Sequence, residues 1–249
     1  MPAPESTGKN FAVTAAVAAV CSLAVSFTAV GLRARREGNQ DLERMKHILT
    51  VAGLYDPNVP VTRSFTRVEP RLVDLETGAY ASEDEFDPTA AVVIPSDDDV
   101  AGVEKRERYV RVYLVRDIGR VTQIILPVRG EGWSMLHGFV ALDRDLVTVR
   151  GFTVYRHEET AGLGAEVDNP KWKARWPGKR IFDAEGKLRF RVAKGAVDAA
   201  SPEAAYEVDG LSGATLTSEG IGNLMRFWFG DYGFRRYLER LAEKGVDHD

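Results

Sequence analysis

A chain of 249 residues, 44% hydrophobic and 28% charged, holds enough material for one globular domain and an additional segment. Its net charge of −4 argues against nucleic acid as a partner. The single cysteine, Cys21, excludes an internal disulfide framework, an iron–sulfur cluster and a cysteine-rich zinc site, and the four histidines lack metal-ligand spacing, so a redox role would need an organic cofactor.

A short tail, residues 1–10, precedes an uncharged run from Phe11 to Leu32. As a helix that run reaches roughly 33 Å at about 1.5 Å per residue, enough for a hydrocarbon core of about 30 Å. A cleavable signal peptide would carry a shorter apolar region and then small residues. Here Arg33, Arg35 and Arg36 follow, which predicts a retained transmembrane helix with Cys21 inside it. Those arginines, against Lys9 and the amino terminus, would by charge alone put the following domain in the cytoplasm. Residues 33–60 are expected to form a juxtamembrane helix and linker. Leu42, Met45, Ile48, Leu49 and Ala52 have helical spacing, and Gly53 stands as the C-cap. The globular domain is then expected over 61–249, and a chain cut to start near Leu54 is expected to be soluble.

Glu83-Asp84-Glu85, Asp87 and Asp97-Asp98-Asp99 read as solvated loop faces. Val110, Val112 and Leu114 alternate with Arg111, Tyr113 and Val115, and a turn at Asp117 to Arg120 leads into Val121 to Leu126. A second pair, Gly138 to Leu142 and Leu146 to Tyr155, turns at Asp143 to Asp145; a short strand is expected at Leu188 to Val192. With helices after the strands, the predicted class is α+β: an antiparallel sheet with flanking helices.

Two loops are expected to leave this sheet, Leu126 to Gly138 and His157 to Lys179. Both are rich in glycine and tryptophan. In the second, Gly162 and Gly164 do not make a dinucleotide fingerprint, because Val167 stands at the third glycine position. The last signal is Asp209-Gly210-Leu211-Ser212-Gly213-Ala214-Thr215, followed by Thr217 and Ser218 as expected N-caps of a helix from Glu219. Gly210 and Gly213 suit close backbone approach to an anion, and a helix start offers N–H groups and the positive dipole end to a phosphate. The same residues also suit an ordinary capped loop.

The 209–215 motif resembles the flavinylation motif of proteins that carry flavin mononucleotide (FMN) on threonine through a phosphoester. On that resemblance Thr215 is the attachment residue. A flavin ring needs flat apolar cover and hydrogen bonds to its polar edge. Trp133, Leu163 and Trp172 are candidates for the cover, and Thr160 with glycine-freed backbone for the edge. Core packing is the alternative for each tryptophan.

The ordered set resembles the C subunit of bacterial sodium-translocating NADH:quinone oxidoreductases over nearly the whole chain, about 11 to 240. It comprises the N-terminal span, Val51-Ala52-Gly53-Leu54, Val73 to Gly78, Gly132 to Gly138, His157 to Gly164, Asn169 to Trp172, and Asp209 to Thr215. Ala161 departs from the proline that the family commonly has there. The resemblance implies an electron-carrier subunit, inactive alone, whose FMN is bonded to Thr215 by a separate flavin transferase outside the cytoplasm. It implies Ser212, Gly213 and Ala214 as the cradle, with Thr160, Leu163 and Gly164 near the ring. Asp209 would serve transferase recognition or hold the loop. The implied partners are membrane and peripheral subunits and membrane lipid. The implied site is the periplasmic face of the inner membrane, against the charge signal. The G subunit of the Rnf complex, and a flavin-free anchored domain of the same fold, are the alternative readings.

Overall fold

The structure, a computed structural model, describes residues 7–247. The chain divides into two units, the first ending at Arg44 and the second starting at Met45. Helix α1 (Thr7–Val51) contains the uncharged run, with Phe11, Leu23 and Phe27 exposed. Among the described residues no helix is long and apolar enough to cross a membrane. Side chains at 12, 28–30 and 32, inside the expected span, lie outside the described residues, as do residues 1–6 of the expected tail.

The second unit begins inside α1. Its last turns bury Ile48, Leu49, Val51 and Ala52, and Gly53 ends it at φ +69°. The Gly53 N–H bonds the Thr50 carbonyl at 3.0 Å and the Leu54 N–H bonds that of Leu49 at 2.8 Å. That pair of bonds is a Schellman stop, which glycine accepts without a Cβ penalty. The domain therefore starts at Met45 and not at residue 61, because these helical residues complete one of its cores.

After α2 (Val61–Ser64) come β1 (Val68–Asp74) and β2 (Ala79–Tyr80), then a small pair, β3 (Ala91–Val93) with β4 (Lys105–Glu107). Between them Asp99 caps a turn, accepting the Val103 N–H at 2.9 Å and the Glu104 N–H at 2.6 Å. The main strands are β5 (Tyr109–Asp117), β6 (Arg120–Glu131), β7 (Met135–Asp143) and β8 (Val149–Arg156). They form an antiparallel sheet in the order β2-β1-β5-β6-β7-β8. A four-residue helix α3 (Pro170–Lys173) follows, then β9 (Arg191–Val192), β10 (Glu207–Val208), α4 (Thr215–Trp228) and α5 (Arg235–Lys244).

The middle of the sheet is buried on both faces. Tyr113, Val115, Ile125, Phe139 and Ala141 pack on the end of α1. Val112, Leu114, Ile124, Leu126, Val140 and Leu142 point the other way, into the core shared with Ile221, Leu224, Met225 and Leu238 of α4 and α5. The class is α+β, with an antiparallel sheet and flanking helices.

Three local expectations are corrected. The loop expected at Leu126 to Gly138 is mostly strand, with β6 and β7 meeting at a turn over 132–134. Pro127 is tolerated because the β5–β6 register ends at Tyr113↔Ile125, so its missing N–H breaks no ladder on that side. The strand expected at Leu188 to Val192 shrinks to Arg191–Val192, with Leu188 in an isolated bridge to Phe182. Helix α4 begins at Thr215, not after Ser218. Its N-cap is Ala214, with no side-chain cap bond. The hydroxyls of Thr217 and Ser218 are drawn away by tertiary partners.

Candidate functional site

At the end of the sheet where β6 turns into β7, three segments converge on one cleft. It has a volume of about 360 Å³ and is lined by Trp133 from the turn, Glu159, Thr160, Leu163 and Gly164 from the loop after β8, and 213–217 from the start of α4. This size falls in the range of about 300–1,000 Å³ usual for small-molecule sites. Its rim is apolar and open: Trp133 is 67% exposed, Leu216 57% and Leu163 44%. An exposed apolar rim around a concavity is the usual character of a small-molecule site.

Thr215 stands at this mouth with its side chain exposed, as the first residue of α4. The Ala214 N–H is bonded to the Leu211 carbonyl at 3.1 Å, and the Ser218 N–H is bonded to that of Ala214 at 3.0 Å. The N–H groups of Thr215, Leu216 and Thr217, between them, belong to the first turn and have no intrahelical acceptor. An anion placed at this helix start would meet those donors and the positive end of the helix dipole. Gly213 turns the chain at φ +74°, where a side chain is strained and a Cβ would come within 3.1 Å of Leu163 Cδ2.

Not every expected residue reaches this cleft. Thr160, Leu163, Gly164, Trp133, Gly213, Ala214 and Thr215 line it together. Ser212 does not; it lines a second cleft of about 350 Å³ beyond the 213–215 ridge, with Val192, Gly195 and Ser218. Trp172, expected over a flavin, is buried in the core. It packs edge-on to Phe152 at 6.1 Å and to Trp176 at 5.4 Å. The turn capped by Asn169, whose side chain accepts the Lys171 N–H at 2.9 Å, folds it inward. From there the indole N–H of Trp172 donates to the Asp209 carbonyl at 2.8 Å, supporting the motif from beneath.

Asp209 itself ties the loop down. Its carboxylate accepts the Val197 N–H at 2.9 Å and pairs with Arg175. Gly210 is required by another stretch of backbone and not by an anion: its N–H bonds the Gly195 carbonyl at 2.8 Å, and a Cβ there would overlap the Ala193 carbonyl oxygen. His157, of no assigned role in the sequence, braces the loop after β8. Its Nδ1 accepts the Glu159 N–H at 3.1 Å, so Nε2 carries the proton donated to Asp168 at 2.9 Å. Burial opposes ionisation of Asp168, yet hydrogen bonds from His157 and Lys173 hold its carboxyl below the usual range.

The residue that sequence reasoning missed is Glu159, a buried carboxylate at the back of the cleft. It lies inside the His157 to Gly164 motif between two exposed neighbours, and the only available signal was its place directly before Thr160.

The FMN-binding domain family matches residues 132–230, a span holding all three cleft-lining segments. The C subunit of the Na(+)-translocating NADH-quinone reductase of Pseudomonas aeruginosa is 43% identical, over 96% of this chain and 97% of its own. The chain belongs to the family of C subunits of Na(+)-translocating NADH-quinone reductases. The crystal structure of Shewanella oneidensis NqrC is 34% identical with a TM-score of 0.72, over 82% of this chain and 97% of that one. The C subunit of the same reductase from Parabacteroides distasonis gives 26% and 0.63, over 83% and 96%. The cleft fits the group that the family name implies, since it offers apolar cover, unpartnered N–H donors and a reachable hydroxyl on one rim.

Proposed function

We propose that this chain carries FMN on Thr215 through a phosphoester and relays electrons within a sodium-translocating NADH:quinone oxidoreductase. The carrying observation is the exposed Thr215 hydroxyl on the first turn of α4, at the mouth of a cleft rimmed by Trp133, Leu163 and Leu216. One-electron exchange is the chemistry that FMN supplies when bound. The remaining work falls to the protein. The N–H groups of Thr215, Leu216 and Thr217 stabilise the phosphodiester charge. Trp133, Leu163 and Leu216 would hold the ring and exclude water, and Thr160 would offer it a hydrogen bond.

The chain has no nicotinamide fingerprint, no P-loop and one cysteine, so it neither oxidises NADH nor pumps an ion alone. It works as one carrier among membrane and peripheral subunits. A flavin transferase forms the phosphoester, and the uncharged run Phe11 to Leu32 anchors the domain to the outer face of the inner membrane. That sidedness follows the family and overrides Arg33, Arg35 and Arg36, because the charge rule is statistical.

Thr215→Ala in the intact complex tests the reading. NADH oxidation by artificial acceptors should persist while quinone reduction and sodium transport are lost. Retained quinone reduction would remove this subunit from the electron path.

A further inference from the structure

Glu159 is 8% exposed and sits where the three cleft segments meet. Its Oε1 accepts the Ser134 N–H and the Ser134 hydroxyl, each at 2.9 Å. Its Oε2 accepts the Thr217 hydroxyl at 2.5 Å. Ser134 follows Trp133, Thr217 lies one residue past Leu216, and Glu159 itself precedes Thr160. One carboxylate thus joins every segment that covers the cleft. There is no spare room around it, since a methyl at Gly164 would overlap Glu159 Oε2 and lie 2.5 Å from Thr217 Oγ1.

The carboxylate is also held from behind. The Ser134 hydroxyl oxygen accepts the Glu158 N–H at 3.0 Å, and His157 accepts the Glu159 N–H. The donors on Glu159 are neutral hydroxyl and amide groups. Burying a carboxylate among neutral donors costs more than burying an apolar side chain there, so stability alone does not account for it. What the charge supplies is strength: hydrogen bonds to an ionised acceptor are about twice as strong as neutral ones.

We propose that Glu159 is a positioning residue for the flavin: its carboxylate draws the Trp133 turn and the first turn of α4 together and so fixes the apolar cover of the ring. This rests on the reading of Thr215 as the FMN carrier. Glu159→Gln keeps an oxygen for Ser134 and presents an amide N–H₂ to the Thr217 oxygen, whose hydroxyl rotates to accept. Glu159→Ala leaves three donors without an acceptor and unties all three segments.

The test uses the full chain in detergent, co-expressed with a flavin transferase. Intact mass first measures flavin attachment, and iodide quenching of flavin fluorescence then measures ring exposure. Glu159→Ala should keep the flavin but be quenched several-fold more readily, toward free FMN, while Glu159→Gln, which keeps the contacts without the charge, falls between Glu159→Ala and wild type. Unchanged quenching in Glu159→Ala, or equal loss of cover in Glu159→Gln, overturns the proposal. If Glu159→Ala gives no cooperative melt, the single-arm variants Ser134→Ala and Thr217→Val decide. Each should raise quenching, and no change in either overturns the proposal. A wild-type chain that gains no flavin mass removes the Thr215 reading and the proposal with it. Flavinylated variants with unchanged cover remove the proposal alone.

Discussion

Two glycines of α4, two residues apart, should respond to alanine with opposite sign. A Cβ on Gly220 would lie 2.6 Å from the Gly132 Cα and 3.0 Å from the Glu131 carbonyl carbon, and would overlap the Glu131 carbonyl oxygen. All three are backbone atoms of the strand end that leads to Trp133, so none can turn aside. A Cβ on Gly222 would have its nearest neighbour, the Val192 nitrogen, at an ordinary 3.8 Å. Replacing a mid-helix glycine by alanine gains about 1 kcal/mol of helix propensity. At Gly222 that gain is unopposed, and stability should rise by about 0.5–1 kcal/mol. At Gly220 overpacking costs about 1–3 kcal/mol, near the upper end because backbone must move, for a net loss of up to about 2 kcal/mol. In a domain of this size each kcal/mol shifts Tm by about 2–4 °C. Thermal unfolding followed by circular dichroism should therefore show Gly222→Ala about 1–4 °C above wild type, and Gly220→Ala up to about 4–8 °C below it. Gly220→Ala at or above wild type, or the two moving together, would refute the close contact that brings Thr215 and the 132–134 turn to one cleft.

Asp168 should make the loop after β8 acid-sensitive. Its folded pKa is depressed, so its contribution is present above the unfolded value of about 3.9 and is lost as pH falls through the folded value. Asp168→Asn should lower Tm at neutral pH, with the deficit shrinking below about pH 4; a deficit constant with pH would contradict this. A chain cut to start at Leu54 should fail to fold, contrary to the expectation from sequence, because it removes Ile48, Leu49 and Val51 from the core. At about 1.5–3 kcal/mol per buried side chain this approaches a whole domain's stability of about 5–15 kcal/mol. A cut at Asp41 should give a soluble, cooperatively melting domain, and equal melts for the two would overturn the boundary at Met45. Sidedness is read by Asp97→Cys in a Cys21→Ser background, since Asp97 is exposed whereas Asp98 accepts a bond from Tyr232. An impermeant thiol reagent should label intact cells; labelling only after the cytoplasmic face is opened would show that Arg33, Arg35 and Arg36 set the orientation.

The parts of this site legible in sequence were those written in local chemistry. Gly53 marks the helix stop because it follows an apolar periodicity, and Asp117 to Arg120 marks a hairpin because alternation flanks it. The paired primed-turn angles there, φ +47° at Ile118 and +78° at Gly119, match the twist of β5 and β6. The convergence of Trp133, Thr160, Leu163 and Thr215 was legible through motif chemistry and family resemblance. What escaped was set by tertiary partners. Thr217 and Ser218 look like caps, yet one hydroxyl donates to Glu159 and the other accepts the Leu211 N–H at 2.8 Å. Trp172 looks like a ring cover, yet Phe152 and Trp176 already provide its place. Strand β1 carries Glu69, Pro70 and Arg71 and so shows no apolar run; beside the two-residue β2 it is nearly an edge, where proline is admitted.

The most direct measurement of the central claim is the intact mass of the full chain co-expressed with a flavin transferase, followed by mapping of the modified peptide. One FMN less one water should be added to wild type, on a peptide containing Thr215, and nothing should be added to Thr215→Ala. An unmodified wild-type chain, or the same gain in Thr215→Ala, would contradict the account.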